Sequence, residues 1–295
     1  MSSRRKKALT VGVGILLFAC LTAFVGTRPV NQPPPLPNPN GYDDFVKAGL
    51  VVPNFPNNDV SKIPPDQLRP LVAQCEAAIA LMRPGLDREC QVPVEYSPEF
   101  MSRRVNQIMA VKSMGRALVA SARLAEHDGR PAEATAHCLD AIALGQLSCR
   151  KGLMIDGLVG IAVESMGATK LASLRPTLDA ATCRAAIKRL EELESKRESS
   201  GAILEVERQW VKGSFTLAQR LGALVQYKSQ QSTRQSFISR HHQQTTATRQ
   251  LTLDLAARAY ELDHGKPPAK AADLTPAYLR RVPRNPESDL PLTLP

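Results

Sequence analysis

Asp156, Glu164 and Glu207 are the side chains whose type and spacing could do chemistry. Asp156 and Glu164 lie in the apolar stretch 153–174, spaced so that a helix brings both near one face. Glu205 and Glu207 open the turn before Trp210. Carboxylates paired in a cleft can serve as general acid and base. The competing reading is ion pairing with Arg123, Arg184 or Arg208. It weighs more, because structural ion networks recruit carboxylates as readily as active sites do. No G-x-S-x-G or S-x-x-K motif supports a nucleophile. No phosphate-binding or dinucleotide glycine loop is present either, since Gly157-Leu158-Val159-Gly160 lacks the following glycine and falls inside a helix. No catalytic residue is assigned, the three acids stay weak candidates, and no cofactor is expected.

The chain has six cysteines, Cys20, Cys75, Cys90, Cys138, Cys149 and Cys183. None shows C-x-x-C or Cys/His spacing, so no metal site is expected. Cys75 and Cys90 flank Arg83-Pro84-Gly85, read as a helix break that could fold them into a disulfide. The other three beyond Cys20 read as small core residues. His241-His242 has no nearby acid or cysteine and reads as surface. The formal net charge is +10, but the bases are spread along the chain and only 4% of residues are aromatic. Base-stacking platforms are poorly supplied, and a nucleic-acid partner is not expected.

The elements that would carry these residues begin at the N-terminus. Arg4, Arg5, Lys6 and Lys7 precede a charge-free run from Ala8 to Thr27. That run, about 20 residues, is the length a helix needs to cross a bilayer, with Leu16, Leu17, Phe18, Leu21 and Phe24 supplying lipid-facing surface. The basic flank keeps the N-terminus cytoplasmic and sends the remainder outside. An uncleaved signal-anchor in the cell membrane is the favoured reading. A cleaved secretory signal is disfavoured by the lack of an A-x-A site. Lipidation at Cys20 is disfavoured by the apolar residues that continue after it. Segment 28–60, rich in proline from Pro29 to Pro39, reads as an extended stalk.

Residues 61–228 read as a mainly α domain, a multi-helix bundle of αα-hairpins. Helices are expected over 66–82, 98–127, 132–150, 153–174, 180–197 and 201–226. Asp128-Gly129-Arg130-Pro131 marks a turn between two of them. Stretch 153–174 is apolar nearly all round, which suits a central core helix or, less well given its charges, a second membrane span. Segment 229–250 turns polar and glutamine-rich, fitting a solvated helix or a flexible connector. Segment 251–295 reads as one amphipathic helix followed by an irregular, Pro-rich close.

Two resemblances bear on the chain. Ala256, Tyr260, Gly265 and Pro268, followed by Leu274, Pro276, Tyr278-Leu279, Val282-Pro283 and Asn285-Pro286, resemble the C-terminal module of type II secretion pseudopilins. The prepilin N-terminus, the C-terminal strands and the calcium-ligand acids are not evident, so the resemblance implies a small structural module. The chain as a whole resembles a group of membrane-anchored helical proteins of planctomycete-type bacteria. The carrying segments are Pro39 to Asp44, Arg150 to Ala162, and Tyr260 to Pro286. That resemblance implies architecture and no activity. Together these readings favour a non-enzymatic, single-pass envelope protein whose helical ectodomain binds or scaffolds an envelope protein partner. The membrane lipid would contact only the N-terminal helix. The alternatives are an enzyme acting on envelope polymers through helix-borne carboxylates, and a pseudopilin-like secretion component.

Overall fold

The computed structural model describes residues 33–56, 59–97, 99–215 and 227–294. The expected anchor residues Leu16, Leu17, Phe18, Leu21 and Phe24, and Cys20, lie outside the described residues. So do residues 216–226 of the helix expected over 201–226. The described residues are mainly helical and contain no strand.

Residues 33–39 run without helix into α1 (Gly41–Leu50). Asn40 starts this helix by accepting from the Tyr42 backbone N–H at 3.2 Å, and Asp43, Asp44 and Lys47 complement its dipole. The same Asn40 side chain donates to the Gln91 carbonyl at 2.8 Å and accepts from the Gln91 N–H at 3.0 Å. The Gly41 N–H donates to the Glu89 carbonyl at 3.0 Å. The chain is thus clamped to the core where the helix begins.

Helix α2 (Pro65–Asp87) passes straight through Pro70 and Pro84. The expected stop at Pro84-Gly85 is therefore corrected. Gly85 serves packing instead: a side-chain carbon there would sit 2.8 Å from the Gly41 carbonyl oxygen of α1. The missing break also removes the basis for a Cys75–Cys90 disulfide. Cys75 stays mid-helix, roughly 18 Å of helix rise before Asp87, and both cysteines are free and buried.

Helices α3 (Phe100–His127) and α4 (Pro131–Leu147) form the expected hairpin. Gly129, at φ 72°, makes the left-handed turn between them, and Pro131 starts α4 where its missing N–H costs nothing. Helix α5 (Met154–Leu174) packs along α4 and also touches α3. Gly145 and Gly160 let α4 and α5 approach closely; a side-chain carbon on either would lie 2.5 Å from the other's carbonyl oxygen. The stretch 153–174 is thus a core helix. No helix among the described residues is long and apolar enough to cross a membrane.

Helix α6 (Ala180–Ser195) starts at the Asp179 cap and α7 (Ser200–Ser214) at the Ser199 cap. Helix α8 (Tyr227–His264) is a single 38-residue rod, about 57 Å long, that packs on α6 and α5. Segment 229–250 is accordingly helix, continuous with 251–264. Beyond Gly265 the chain forms a short 3-10 turn at Ala271–Leu274 and an irregular tail. Leu274 and Leu279 plug this tail into the main core.

Candidate functional site

Of the candidate acids, Glu164 lies midway along α5 in a separate cluster, and Asp156 and Glu207 lie at the N-terminal end of α5. Asp156 sits in its first turn and accepts from the Leu153 N–H at 2.8 Å. Glu207 reaches across from α7 to accept from the Met154 N–H at 2.9 Å. Both therefore satisfy donors that a helix N-terminus leaves free, which is a structural task.

Asp156 has a second partner. Arg104 of α3 donates from Nη2 to Asp156 Oδ1 at 2.6 Å and to the Tyr42 hydroxyl of α1 at 2.7 Å. The guanidinium lies between the rings of Tyr42 and Phe100, 5.2 Å from each centroid. Arg104 and Asp156 are only 1% and 4% exposed. Burial pushes the Asp156 carboxyl above the usual carboxylate range, and Arg104 opposes that shift. Burial likewise raises the Tyr42 phenol. This cluster binds α1, α3 and α5 together at one point.

Glu164, two turns further along α5, anchors a second cluster. Arg197, just beyond α6, donates to both its oxygens, at 2.9 and 2.5 Å. Gln146 of α4 donates to Glu164 Oε1 at 3.1 Å and Thr248 of α8 at 2.7 Å. Arg197 also donates to Glu194 at 2.7 Å, and Glu194 in turn accepts from Arg249 of α8 at 2.7 Å. Burial pulls the Arg197 basicity down, but Glu164 and Glu194 outweigh it and hold the guanidinium firmly charged. His241 of α8 closes the cluster, accepting no surface role: it is buried and its Nε2 lies 3.1 Å from the Glu198 carbonyl oxygen. The surface reading of His241 is thus corrected. A cavity of about 10 Å³, lined by Gln146, Cys149, Glu164 and His241 among others, lies beside it. That is room for about one water molecule, and Gln146 Oε1 and His241 Nδ1 have no partner among the described residues.

No protein-family model matches the chain, and no curated protein or solved structure shows significant similarity to it. The reading of the site therefore rests on its geometry.

Of the expected pairings, Glu205 does take Arg208, while Asp156 and Glu164 take Arg104 and Arg197 and Glu207 takes a backbone N–H. Arg123 binds the Val60 and Ile63 carbonyls, Arg184 pairs with Asp263 at 2.7 Å, and Arg208 pairs with Glu205. Arg104 and Arg197 carry no local sequence signal that would have singled them out. Thr245, Thr248 and Thr252 do: they form a polar stripe at helical spacing, and all three are buried. Among the described residues no cluster of His, Cys, Asp and Glu is placed to hold a metal. The open concavities lie elsewhere. One, of about 440 Å³, runs between α2, α3 and α4 past Arg69, Arg83 and His137. Another, of about 370 Å³, lies where α6 and α8 meet the C-terminal tail.

Proposed function

We propose that the chain is a non-catalytic, single-pass envelope protein whose helical ectodomain binds or scaffolds another envelope component. The observation that carries this reading is the state of the acids. Asp156 and Glu164 are buried and engaged by arginines, and Glu207 caps a helix. Acid–base work needs a carboxylate within reach of a substrate proton. These three are committed to joining α1, α3, α4, α5, α7 and α8. Their engagement weighs against the alternative of an enzyme acting on envelope polymers through these carboxylates. The basic, apolar N-terminus and the proline-rich run behind it support display of the domain outside the membrane.

The test is affinity capture of the full chain from crosslinked native membranes, joined to protease digestion of intact cells. A reproducible co-purifying envelope protein, with the C-terminus cleaved from outside, is the expected result. A C-terminus protected in intact cells, or no reproducible partner, overturns the reading.

A further inference from the structure

The cleft at the C-terminal end has the makings of a ligand site that the scaffold reading does not use. Its floor is buried: Leu190 of α6 and Thr248 and Thr252 of α8. Its walls and rim carry four arginines, Arg249, Arg280, Arg281 and Arg284, against three acids. Each acid already has an arginine. Glu194 takes Arg249 at 2.7 Å, Glu191 takes Arg280 at 3.5 Å, and Asp289 takes Arg284 at 2.8 Å. Arg281 is exposed and has no hydrogen-bond or ion-pair partner among the described residues. The lining thus holds one uncompensated positive charge.

The wall that presents these arginines is built rather than loose. The Asn285 side chain accepts from the Glu287 and Ser288 N–H groups at 2.8 and 3.1 Å. The Asn285 N–H donates to the Leu290 carbonyl, and the Leu292 N–H to the Pro283 carbonyl, both at 2.8 Å. Asp289 takes the left-handed backbone, φ 54°, that closes such a turn. Arg249 ties the turn to α8 by donating to the Arg284 carbonyl. The Arg280 N–H donates to Glu191 at 2.9 Å and fixes the other end to α6.

The geometry points to this cleft as a binding site for a small, multiply charged oxyanion. Guanidinium forks match carboxylate and phosphate oxygens two at a time. Arg281 has all its donors free, and Arg280 and Arg284 keep donors that their acids do not use. The volume, about 370 Å³, lies at the lower end of small-ligand sites. A phosphate ester and a polycarboxylate share this chemistry, so both are probed. The inference is independent of the scaffold reading and survives its failure.

The experiment is isothermal titration of the full chain in detergent with inorganic pyrophosphate, with citrate, and with glucose as the uncharged control. Saturable, one-site binding of at least one anion and none of glucose is expected, weakening as salt screens the charges. Arg281→Ala touches no contact within the fold and should weaken binding about tenfold or more. Arg280→Ala should weaken it similarly. Arg103→Ala, on a distant exposed pair with Glu95, should leave it unchanged. Absence of saturable binding for both anions overturns the inference. So does an affinity that survives Arg280→Ala and Arg281→Ala, or one that falls equally in Arg103→Ala.

Discussion

Replacing Glu164 by alanine tests the central cluster most directly. The substitution leaves Arg197, whose side chain is 9% exposed, with Glu194 alone. It also strips the Gln146 amide and the Thr248 hydroxyl of their acceptor. Breaking a buried ion pair by removing one partner costs about 3–5 kcal/mol. Glu194 still faces the guanidinium, so the lower end, about 3 kcal/mol, is expected. For scale, a surface pair such as Lys62–Asp59, with side chains 70% and 49% exposed, is worth about 0–1 kcal/mol. Urea unfolding of the full chain, followed by far-ultraviolet circular dichroism, reads the difference as a shift in midpoint at unchanged slope. The double variant Glu164→Leu/Arg197→Met should recover most of the loss, because the cost lies in the uncompensated charge. A loss under about 1 kcal/mol in Glu164→Ala would refute the claim that this pair is buried and structural.

Three further outcomes follow from the same structure. Gly160→Ala pushes a methyl into the Gly145 carbonyl of α4 and should destabilise by about 1–3 kcal/mol; a neutral result in the same unfolding assay would show that α4 and α5 can part. Burial, reinforced by Arg197 for His241 and by Arg83 for His137, holds both imidazoles below the ordinary value of 6.5. Below that pH the unfolded chain takes up protons that the folded chain refuses, so stability is full above 6.5 and falls as pH drops through it. The slope should reach up to about 1.4 kcal/mol per pH unit for each histidine and flatten in His241→Gln; unfolding midpoints that do not change between about pH 7.5 and about pH 5.5 would contradict this. Burial raises the thiols of Cys75 and Cys183 to about 11 and those of Cys138 and Cys149 to about 12, with Cys90 raised further still. Iodoacetamide should spare all five in the native protein and label them in denaturant, whereas a Cys75–Cys90 disulfide found by non-reducing mass mapping would contradict the free thiols at both positions.

Much of the helical order could be read from local chemistry. The Asp128-Gly129-Arg130-Pro131 turn falls where Gly129 and Pro131 demand it, and the Asp179 and Ser199 caps start α6 and α7. Local chemistry misleads at Pro84-Gly85. A proline followed by glycine ordinarily ends a helix, but here the packing of α1 on α2 needs a residue without a side chain at Gly85. It misleads again at 229–250, where polarity suggests solvent. Two threonines of that segment are buried because their hydroxyls find partners: Thr245 donates back one turn to the His241 carbonyl at 2.8 Å, and Thr248 donates to Glu164 at 2.7 Å. The site was half legible. Asp156 and Glu164 stand out as charges in an apolar helix. Their partners Arg104 and Arg197 lie 52 and 33 residues away, and only the tertiary fold brings them together.

The clamp at Asn40 has a mechanical consequence. Tension arriving through residues 33–39 reaches the two Asn40–Gln91 hydrogen bonds and the Gly41–Glu89 bond within two successive residues. A pull on this end of the chain is therefore borne first by these three bonds. Tyr42, the next residue, is held by Arg104 at 2.7 Å, so a pull on residues 33–39 reaches the buried Arg104–Asp156 cluster through α1.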